Sequence, residues 1–457
     1  MPVITDGETF INSLGLGLTV LACLLMLVLP RRYALVPVII LTCYMTMGER
    51  LMIGGANFSM IRILTFVGWI RIIIRGEIRS LCLNGIDKAM VCWTFSGMVF
   101  YTVLWQTSQA FVNRLGHSYD VIGLYFLFRF LVHGIDDIRR IFRIVAILIV
   151  PLAVSMLVEK MTGRNSFSVF GGVMEFTRIR DGSLRCQGPF AHPILAGTFG
   201  ATLLPWFVGL WYQAKRNRVI AGLAIASALI ITVTSASSGP ALVALAGIVG
   251  LLAWHWRRRL RTIRWTIALG LITLHLVMKS PVWYLLARVD VFGGSTGFHR
   301  AWLIDTAVKH FSEWWLLGIK DSGVWDPMLA DVTNQYLAEG FRGGLITMLL
   351  FILIIVLCFR AVGCFVTRTT GSEPFSTRFT IWALGASLFG HVLGYLSISY
   401  FDQNAVMWYL LLAMISTATG VSFAKRQATP AIEPQVWAPD RFGDSPDKAT
   451  PVGTLFQ

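Results

Sequence analysis

Residues 176–212 read FTRIRDGSLRCQGPFAHPILAGTFGATLLPWFVGLWY and join a basic segment directly to an apolar one. The apolar part begins at His192 and is long enough to cross a bilayer as a helix. Pro193 follows immediately, and proline is favoured in the first turn of a helix. The stretch therefore predicts a transmembrane helix that begins beside a loop carrying several arginines.

Apolar runs of similar length recur along the whole chain. Of the 457 residues, 55% are hydrophobic and only 14% are charged, and the mean hydropathy is +0.67. A soluble protein of this length needs far more polar surface. The runs lie near residues 13–30, 33–49, 58–74, 89–107, 119–135, 143–158, 192–212, 219–236, 240–256, 265–280, 338–359, 380–398 and 405–423. We therefore expect an all-α, polytopic transmembrane bundle of about 12–13 helices.

Arginines interrupt two of these runs. Arg62 and Arg71 lie within residues 58–74, so this segment is either a crossing or an interfacial or re-entrant helix. The number of crossings and the side of the N-terminus depend on that choice. Arg129 lies within the run 119–135, where it must face a polar cavity or partner or extend towards the membrane surface.

Basic residues are concentrated in every second loop. They include Arg31/Arg32, Arg75/Arg79/Lys88, Arg139/Arg140/Arg143, Lys215/Arg216/Arg218, Arg257/Arg258/Arg259/Arg261/Arg264 and Arg360/Arg368/Arg378. Positively charged loops stay in the cytoplasm, which accounts for the net charge of +15 without nucleic acid. Two longer loops, 159–191 and 281–337, are then periplasmic. Residues 1–423 form one transmembrane unit, and residues 424–457 form a disordered cytoplasmic tail.

The second long loop contains the segment HRAWLIDTAVKHFSEWW, residues 299–315. Its apolar residues Trp302, Leu303, Ala307 and Phe311 recur at helical spacing. This pattern predicts an amphipathic helix at the membrane surface.

Arginines in both long loops contradict the usual avoidance of positive charge outside the membrane. They are Arg178, Arg180 and Arg185 in the first loop and Arg300 in the second. Arginine binds phosphate oxygens bidentately, so two converging loops could hold a pyrophosphate and stabilise it as a leaving group. The alternative is contact with lipid headgroups or pairing with nearby acids. Those acids are Glu175, Asp181 and Asp305.

Three residues are candidates for a general base that takes a proton from a sugar hydroxyl. They are His192, His299 and Asp331, the last of which opens the segment DVTNQYLAEGFRGG at 331–344. The alternatives are contact with headgroups for the histidines and helix capping for Asp331 and its neighbours. Neither a CxxC pair nor an HExxH motif is present, so we expect neither a metal nor a cofactor.

Four motifs together resemble the bacterial O-antigen ligase and O-antigen polymerase superfamily. They are RCQGPFAHPILAGTFGATLLP (185–205), GFHRAWLID (297–305), WWLLGIKDSG (314–323) and TNQYLAEGFRGGL (333–345). Members are polytopic glycosyltransferases of the bacterial inner membrane with large periplasmic loops. The resemblance covers about residues 150–425.

The resemblance implies a reaction and a set of site residues. The donor is a glycan linked to undecaprenyl pyrophosphate, and an acceptor hydroxyl attacks its anomeric carbon with inversion. Arg185 and Arg300 correspond to the arginines that bind the pyrophosphate, with Arg178 and Arg180 as supporting charges. Polysaccharide chain-length and export proteins are the expected partners, besides membrane lipids. Further residues match the later motif, namely Asn334, Tyr336, Leu337, Glu339 and Gly340.

This sequence departs from the ligase pattern at Thr333, which stands where a ligase has a histidine. Threonine does not act as a general base near neutral pH. A polysaccharide polymerase with a different base therefore fits better than a ligase. A flippase for the same lipid-linked glycan and a non-catalytic component of envelope assembly are the alternatives. A flippase would carry basic residues through the bundle core, where few besides Arg129 occur.

Overall fold

The computed structural model describes residues 12–53, 56–78, 81–288 and 297–427, and nearly all of its regular structure is helical. The helices are α1 Ser13–Val28, α2 Val36–Tyr44, α3 Met60–Ile74, α4 Gly85–Trp105, α5 Ser108–Ser118, α6 Leu124–Leu131, α7 Ile135–Thr162, α8 Pro193–Trp211, α9 Arg218–Thr234, α10 Ser238–Leu252, α11 Leu260–Val277, α12 Gly297–Lys309, α13 Phe311–Trp314, α14 Gln335–Arg368, α15 Phe375–Gly394 and α16 Asp402–Gln427. Two antiparallel hairpins pair β1 Arg50–Ile53 with β2 Ala56–Ser59 and β3 Arg178–Arg180 with β4 Ser183–Arg185. The predicted tail from residue 424 begins within α16, and residues 428–457 lie outside the described part.

Five helices in the described part are long and apolar enough to cross a membrane, by length and composition. They are α7, α8, α9 with the turn that precedes it, α11 and α14, while α1 and α10 are shorter apolar helices. The predicted helical class is therefore confirmed, and the five apolar helices suggest a membrane protein. The run at 33–49 differs from its prediction, because its helix α2 has only 9 residues. Such a helix is about 14 Å long, which is too short for a bilayer.

The arginines that interrupt apolar runs have partners. Arg62 in α3 pairs with Asp120, and Arg71 pairs with Glu77 at 2.9 Å. Arg129 in α6 forms a bidentate ion pair with Asp87 in the first turn of α4, through two contacts of 2.9 Å. Arg129 is buried, so its charge is balanced inside the bundle as a buried charge requires.

Helix α8 lies at the centre of the bundle, against α7, α9, α10 and α15. Its small residues permit this close packing, as in membrane helix pairs. A Cβ added to Gly200 would lie 2.8 Å from the carbonyl oxygen of Ala228, and one added to Gly197 would lie 2.3 Å from the Oγ of Ser235. The start of α8 is thereby fixed beside the end of α9.

The loops that are rich in basic residues meet at one end of the bundle. Arg143 in α7 donates to the Asn217 side chain before α9, at 3.0 Å. Arg139 donates to Thr377 in the first turn of α15, at 2.8 Å. The end of α7 and the starts of α8 and α10 lie at the opposite end, where the candidate site is found.

Residues 297–345 fold into a small unit with its own core at that opposite end. The core consists of Leu303, Ala307, Trp314, Leu329 and Phe341. The predicted amphipathic helix is divided at His310 into α12 and α13, and Phe311 is exposed rather than packed.

Helix α14 is interrupted at Gly343 and Gly344, whose backbone angles are not helical. The loop after α13 fills the break, since Leu345 donates its N–H to the Trp315 carbonyl at 2.7 Å. Gly344 has a φ of 70°, and a Cβ there would lie 2.3 Å from the Leu316 carbonyl oxygen. Only glycine fits this position, which fixes the small unit against α14.

Candidate anion-binding site

Within the first long loop, the β3–β4 hairpin places Arg178, Arg180 and Arg185 on one face. Arg178 lies directly opposite Arg185, and Arg180 lies opposite Ser183. Residues two apart on a strand share a face, and directly opposite residues share that face as well. The tight turn at Asp181 and Gly182 has positive φ angles of 50° and 73°, as the common two-residue hairpin turn requires.

Glu159, at the end of α7, holds the base of this hairpin. Its buried carboxylate accepts hydrogen bonds from the backbone N–H groups of Gln187 at 3.1 Å and Gly188 at 2.9 Å. The hydroxyl of Thr177 donates to it at 3.1 Å. Because these donors are neutral, the carboxylate shapes the loop without pairing with an arginine.

Arg185 and Arg300 meet at the start of α10. Arg185 donates to the Ser237 hydroxyl, which precedes α10, at 2.6 Å. The guanidinium Nη2 of Arg300 lies 3.9 Å from where a Cβ on Gly239 would stand, and Ser397 lies beside the same point. Arg185 and Arg300 are only 8% and 7% exposed, and the Nε of each has no hydrogen-bond partner. Two buried guanidinium groups from separate loops therefore keep donors for a ligand.

Neither Arg185 nor Arg300 forms an ion pair with any residue that the structure describes. Of the acids proposed as alternative partners, Asp181 pairs with Arg180 as that alternative expects, while Glu175 and Asp305 pair with cations outside the cluster. Glu175 lies 4.0 Å from Arg164, Asp181 lies 3.4 Å from Arg180, and Asp305 lies 2.7 Å from Lys309.

The cluster is strongly electropositive. Burial lowers the pKa of Arg185, and the charges of Arg180 and Arg178 lower it further. Burial and the charge of Arg180 lower the pKa of Arg300. The charge of Arg180 therefore lowers the pKa of both buried arginines. The N-terminal end of α10 adds its partial positive charge. Such a concentration of unbalanced positive charge favours an anion with several oxygens.

His192 caps the start of α8 within reach of the same charges. Its Nδ1 accepts the N–H of Ile194 at 3.2 Å. Burial lowers the pKa of His192 to about 4, and the charges of Arg185, Arg178 and Arg180 contribute. His192 is therefore neutral near pH 7. Since Nδ1 accepts, the proton of the neutral ring is on Nε2, which makes His192 a hydrogen-bond donor rather than a base.

His299 and Asp331 lie next to each other on the small unit formed by residues 297–345. The Nε2 of His299 is 3.3 Å from the backbone carbonyl oxygen of Asp331. A carbonyl only accepts, so Nε2 carries the proton and Nδ1 keeps a lone pair. The carboxylate of Asp331 is exposed. Of the two histidine candidates, His299 is therefore the one whose tautomer can accept a proton.

The residues of the later motif stabilise helices and their neighbours. Asn334 caps α14 by accepting the N–H of Leu337 at 3.2 Å, and the Tyr336 hydroxyl donates to the Val392 carbonyl at 2.9 Å. Glu339 accepts from Trp93 at 3.0 Å and from Gln335 at 2.7 Å. These contacts support the simpler interpretation of Asn334 as a cap.

Three further residues at the site were not predicted from the sequence, namely Glu159, Ser237 and Gly239. Ser237 and Gly239 belong to the segment SSGP before an apolar run, which is a recognisable helix start. No local signal assigns Glu159 to the loop, because its partners lie 18 to 29 residues away along the chain. No protein-family model matches this chain, and no curated protein matches it either. The case for function therefore depends on the site alone.

Proposed function

We propose that this chain is an inverting glycosyltransferase of the bacterial inner membrane, similar to the O-antigen ligase and polymerase superfamily. It polymerises oligosaccharide repeats carried on undecaprenyl pyrophosphate, in exopolysaccharide or O-antigen synthesis. The main support for this proposal is that Arg185 and Arg300 converge at the start of α10. Both are buried, and neither has an acidic partner among the described residues. Buried guanidinium groups of this kind suit a pyrophosphate better than a lipid headgroup.

The proposal includes a multi-pass topology of about 12–13 crossings with the arginine cluster on the periplasmic side. This topology is supported by the hydrogen bonds of Arg139 to the first turn of α15 and of Arg143 to the turn before α9, at the end of the bundle opposite the cluster. Positively charged loops at that end are expected in the cytoplasm.

In the proposed reaction, a hydroxyl oxygen of the acceptor sugar attacks the anomeric carbon of the donor. The bond from that carbon to the pyrophosphate oxygen breaks, and the pyrophosphate leaves with the electron pair. Arg185 and Arg300 stabilise the charge that develops on the leaving group. Arg178 and Arg180 add positive potential around the pyrophosphate, and the imidazole Nε2–H of His192 adds a hydrogen-bond donor.

His299 Nδ1 takes the hydroxyl proton in this mechanism. Its tautomer is fixed by the contact with the Asp331 carbonyl, and it directly precedes Arg300 on α12. Thr333 leaves the usual histidine position without a base, and its hydroxyl is buried without a hydrogen-bond partner. A base on α12 would bring proton transfer and pyrophosphate binding onto one element.

The test is the amount and length of polymer in cells that carry single substitutions. Arg185→Ala and Arg300→Ala should each abolish polymer while the protein remains in the membrane. Arg164→Ala is the matched control, because Arg164 lies in the same loop and is exposed. Polymer of normal length from both Arg185→Ala and Arg300→Ala would refute the proposal.

A further inference from the structure

A cavity of about 500 Å³ lies at the same end of the molecule as the arginine cluster. This volume is typical of pockets that bind small molecules. Its walls come from α4, α5, α14 and α16 and from the loop before α16. Neither Arg185 nor Arg300 lines it, so it is distinct from the arginine cluster.

The cavity combines aromatic rings with polar side chains. Trp93, Tyr395, Tyr400 and Trp408 contribute rings to its walls. The remaining lining includes Asn113, whose side chain is exposed. Aromatic faces pack against the apolar faces of a ligand while a few polar groups fix its orientation. Sugar rings present both kinds of surface.

Several polar groups of the cavity already have partners within the protein. Arg62 forms a bidentate pair with Asp120 through contacts of 2.7 and 2.6 Å. The carboxylate of Glu339 accepts from Trp93 and Gln335. These groups form part of the wall, where their hydrogen bonds join α3 to the segment between α5 and α6 and join α4 to α14.

Two arginines in the cavity form no ion pair within the described part of the chain. Arg114 lies 4.0 Å over the ring of Tyr101, and its Nε is buried without a hydrogen-bond partner. Arg342 is exposed at the cavity. Burial lowers the pKa of Arg114, and the nearby charge of Arg342 lowers it further. Both side chains can therefore donate to the oxygens of a ligand.

His117 adds a neutral group that can both donate and accept. Burial lowers its pKa to about 3, and the charges of Arg114, Arg342 and Arg62 contribute. A neutral imidazole with one donor and one acceptor nitrogen suits a sugar hydroxyl, which has the same two capacities.

One loop separates the cavity from the arginine cluster. Tyr400, on the cavity side, donates its backbone N–H to Gln335 at 2.7 Å, and its hydroxyl lies 2.9 Å from the Nδ1 of His391. Ser397, in the same loop, lies beside Gly239 and so beside Arg300. A ligand in the cavity would therefore lie next to a ligand bound by the arginines.

We propose that this cavity binds the terminal sugar rings of the acceptor glycan and presents their hydroxyl to the donor at the arginine cluster. This assignment rests on the proposed function, and it adds the location of the acceptor. Asn113, Arg114, His117 and Arg342 are its polar contacts, and the rings of Tyr400 and Trp408 line its aromatic wall.

The experiment measures calorimetric binding of lipid-free oligosaccharides, released from the cells' own polymer, to the purified full-length protein in detergent. Arg342→Ala and Asn113→Ala should each weaken binding about tenfold or more. Both side chains are exposed, so both variants are expected to fold. Arg216→Ala, which removes an exposed arginine at the other end of the bundle, is the control and should bind these probes like the wild type.

Binding that is unchanged in Arg342→Ala and Asn113→Ala would overturn the assignment, and so would a wild type that binds none of the oligosaccharides. Each failure can be separated from failure of the proposed function, which is judged by polymer from Arg185→Ala and Arg300→Ala. Normal polymer from those two variants would refute the transferase even where the cavity binds sugar.

Discussion

Arg178 and Arg185 lie directly opposite each other on the β3–β4 hairpin, with Arg180 on the same face. Like charges in this position destabilise a hairpin. Among the residues that the structure describes, Arg185 has only a hydroxyl partner, that of Ser237. The strain of this arrangement is removed when an anion binds between the arginines, so stability and anion binding should be linked.

Arg178→Thr should therefore stabilise the protein in the absence of anion while weakening anion binding. Removing the like charge and introducing a residue that favours strands should add about 0.5 kcal/mol. The thermal midpoint, measured with and without a pyrophosphate diester, should rise without ligand and shift less with it. Ile179→Thr is the control, because Ile179 alternates with Arg178 on the strand and its loss removes no charge. An equal ligand-induced shift in wild type and Arg178→Thr would contradict this prediction.

Glu159→Ala should destabilise the loop and abolish polymer, although Glu159 touches no arginine. The substitution leaves two backbone N–H groups and one hydroxyl without their acceptor. Each unsatisfied buried donor costs about 1–3 kcal/mol. Glu159→Gln retains a carbonyl acceptor and should keep part of the stability and of the polymer. The measurements are thermal midpoint and polymer length, and identical behaviour of the two variants would argue against this role.

The lowered pKa of His192 predicts that the folded protein loses stability in acid. Its pKa in the folded protein is about 4, below the ordinary value of 6.5. The unfolded chain therefore binds the proton first as the pH falls, and stability declines from about pH 6.5 to about pH 4. His192→Asn does not titrate, and asparagine can cap α8. The thermal midpoint of wild type should fall more than that of His192→Asn between pH 7 and pH 4.5, and parallel declines would contradict the prediction.

His299→Gln should remove proton transfer while keeping the local structure. The amide nitrogen of glutamine can replace Nε2 in donating to the Asp331 carbonyl, but the side chain has no basic nitrogen. We expect the turnover rate to fall about 10²–10⁴-fold with little change in pyrophosphate affinity. Asp331→Asn, which keeps that backbone carbonyl, should lose far less activity. Turnover of His299→Gln within about twofold of wild type would show that another group is the base.

Much of the helical framework follows from apolar periodicity. Helices α8 to α10 lie close to the predicted runs, whereas α7 begins eight residues before its run, because an apolar run in lipid must satisfy its backbone internally but does not mark where a helix continues beyond it. The short α2 and the break at Gly343 and Gly344 were not predicted. The break depends on a contact from elsewhere in the chain, that of Leu345 with Trp315, and such a contact leaves no local pattern.

The candidate site could be predicted only in part, for the same reason. The charges of Arg185 and Arg300 are visible in the sequence, but their meeting place at Ser237 and Gly239 depends on helix packing. Asp87, the partner of Arg129, lies just before the predicted run 89–107. The two residues are 42 positions apart, so no local pattern links them. The tautomers of the histidines are set by the backbone groups that they contact, and those contacts exist only in the folded protein.

The most direct test of the central claim uses purified protein in liposomes with the undecaprenyl-pyrophosphate-linked repeat and no energy source. Wild type should form polymer and release undecaprenyl pyrophosphate, whereas Arg185→Ala and Arg300→Ala should form none. Movement of the lipid-linked repeat across the bilayer without new glycosidic bonds would identify a flippase and contradict the account. Polymer of normal length from both arginine variants would contradict it equally.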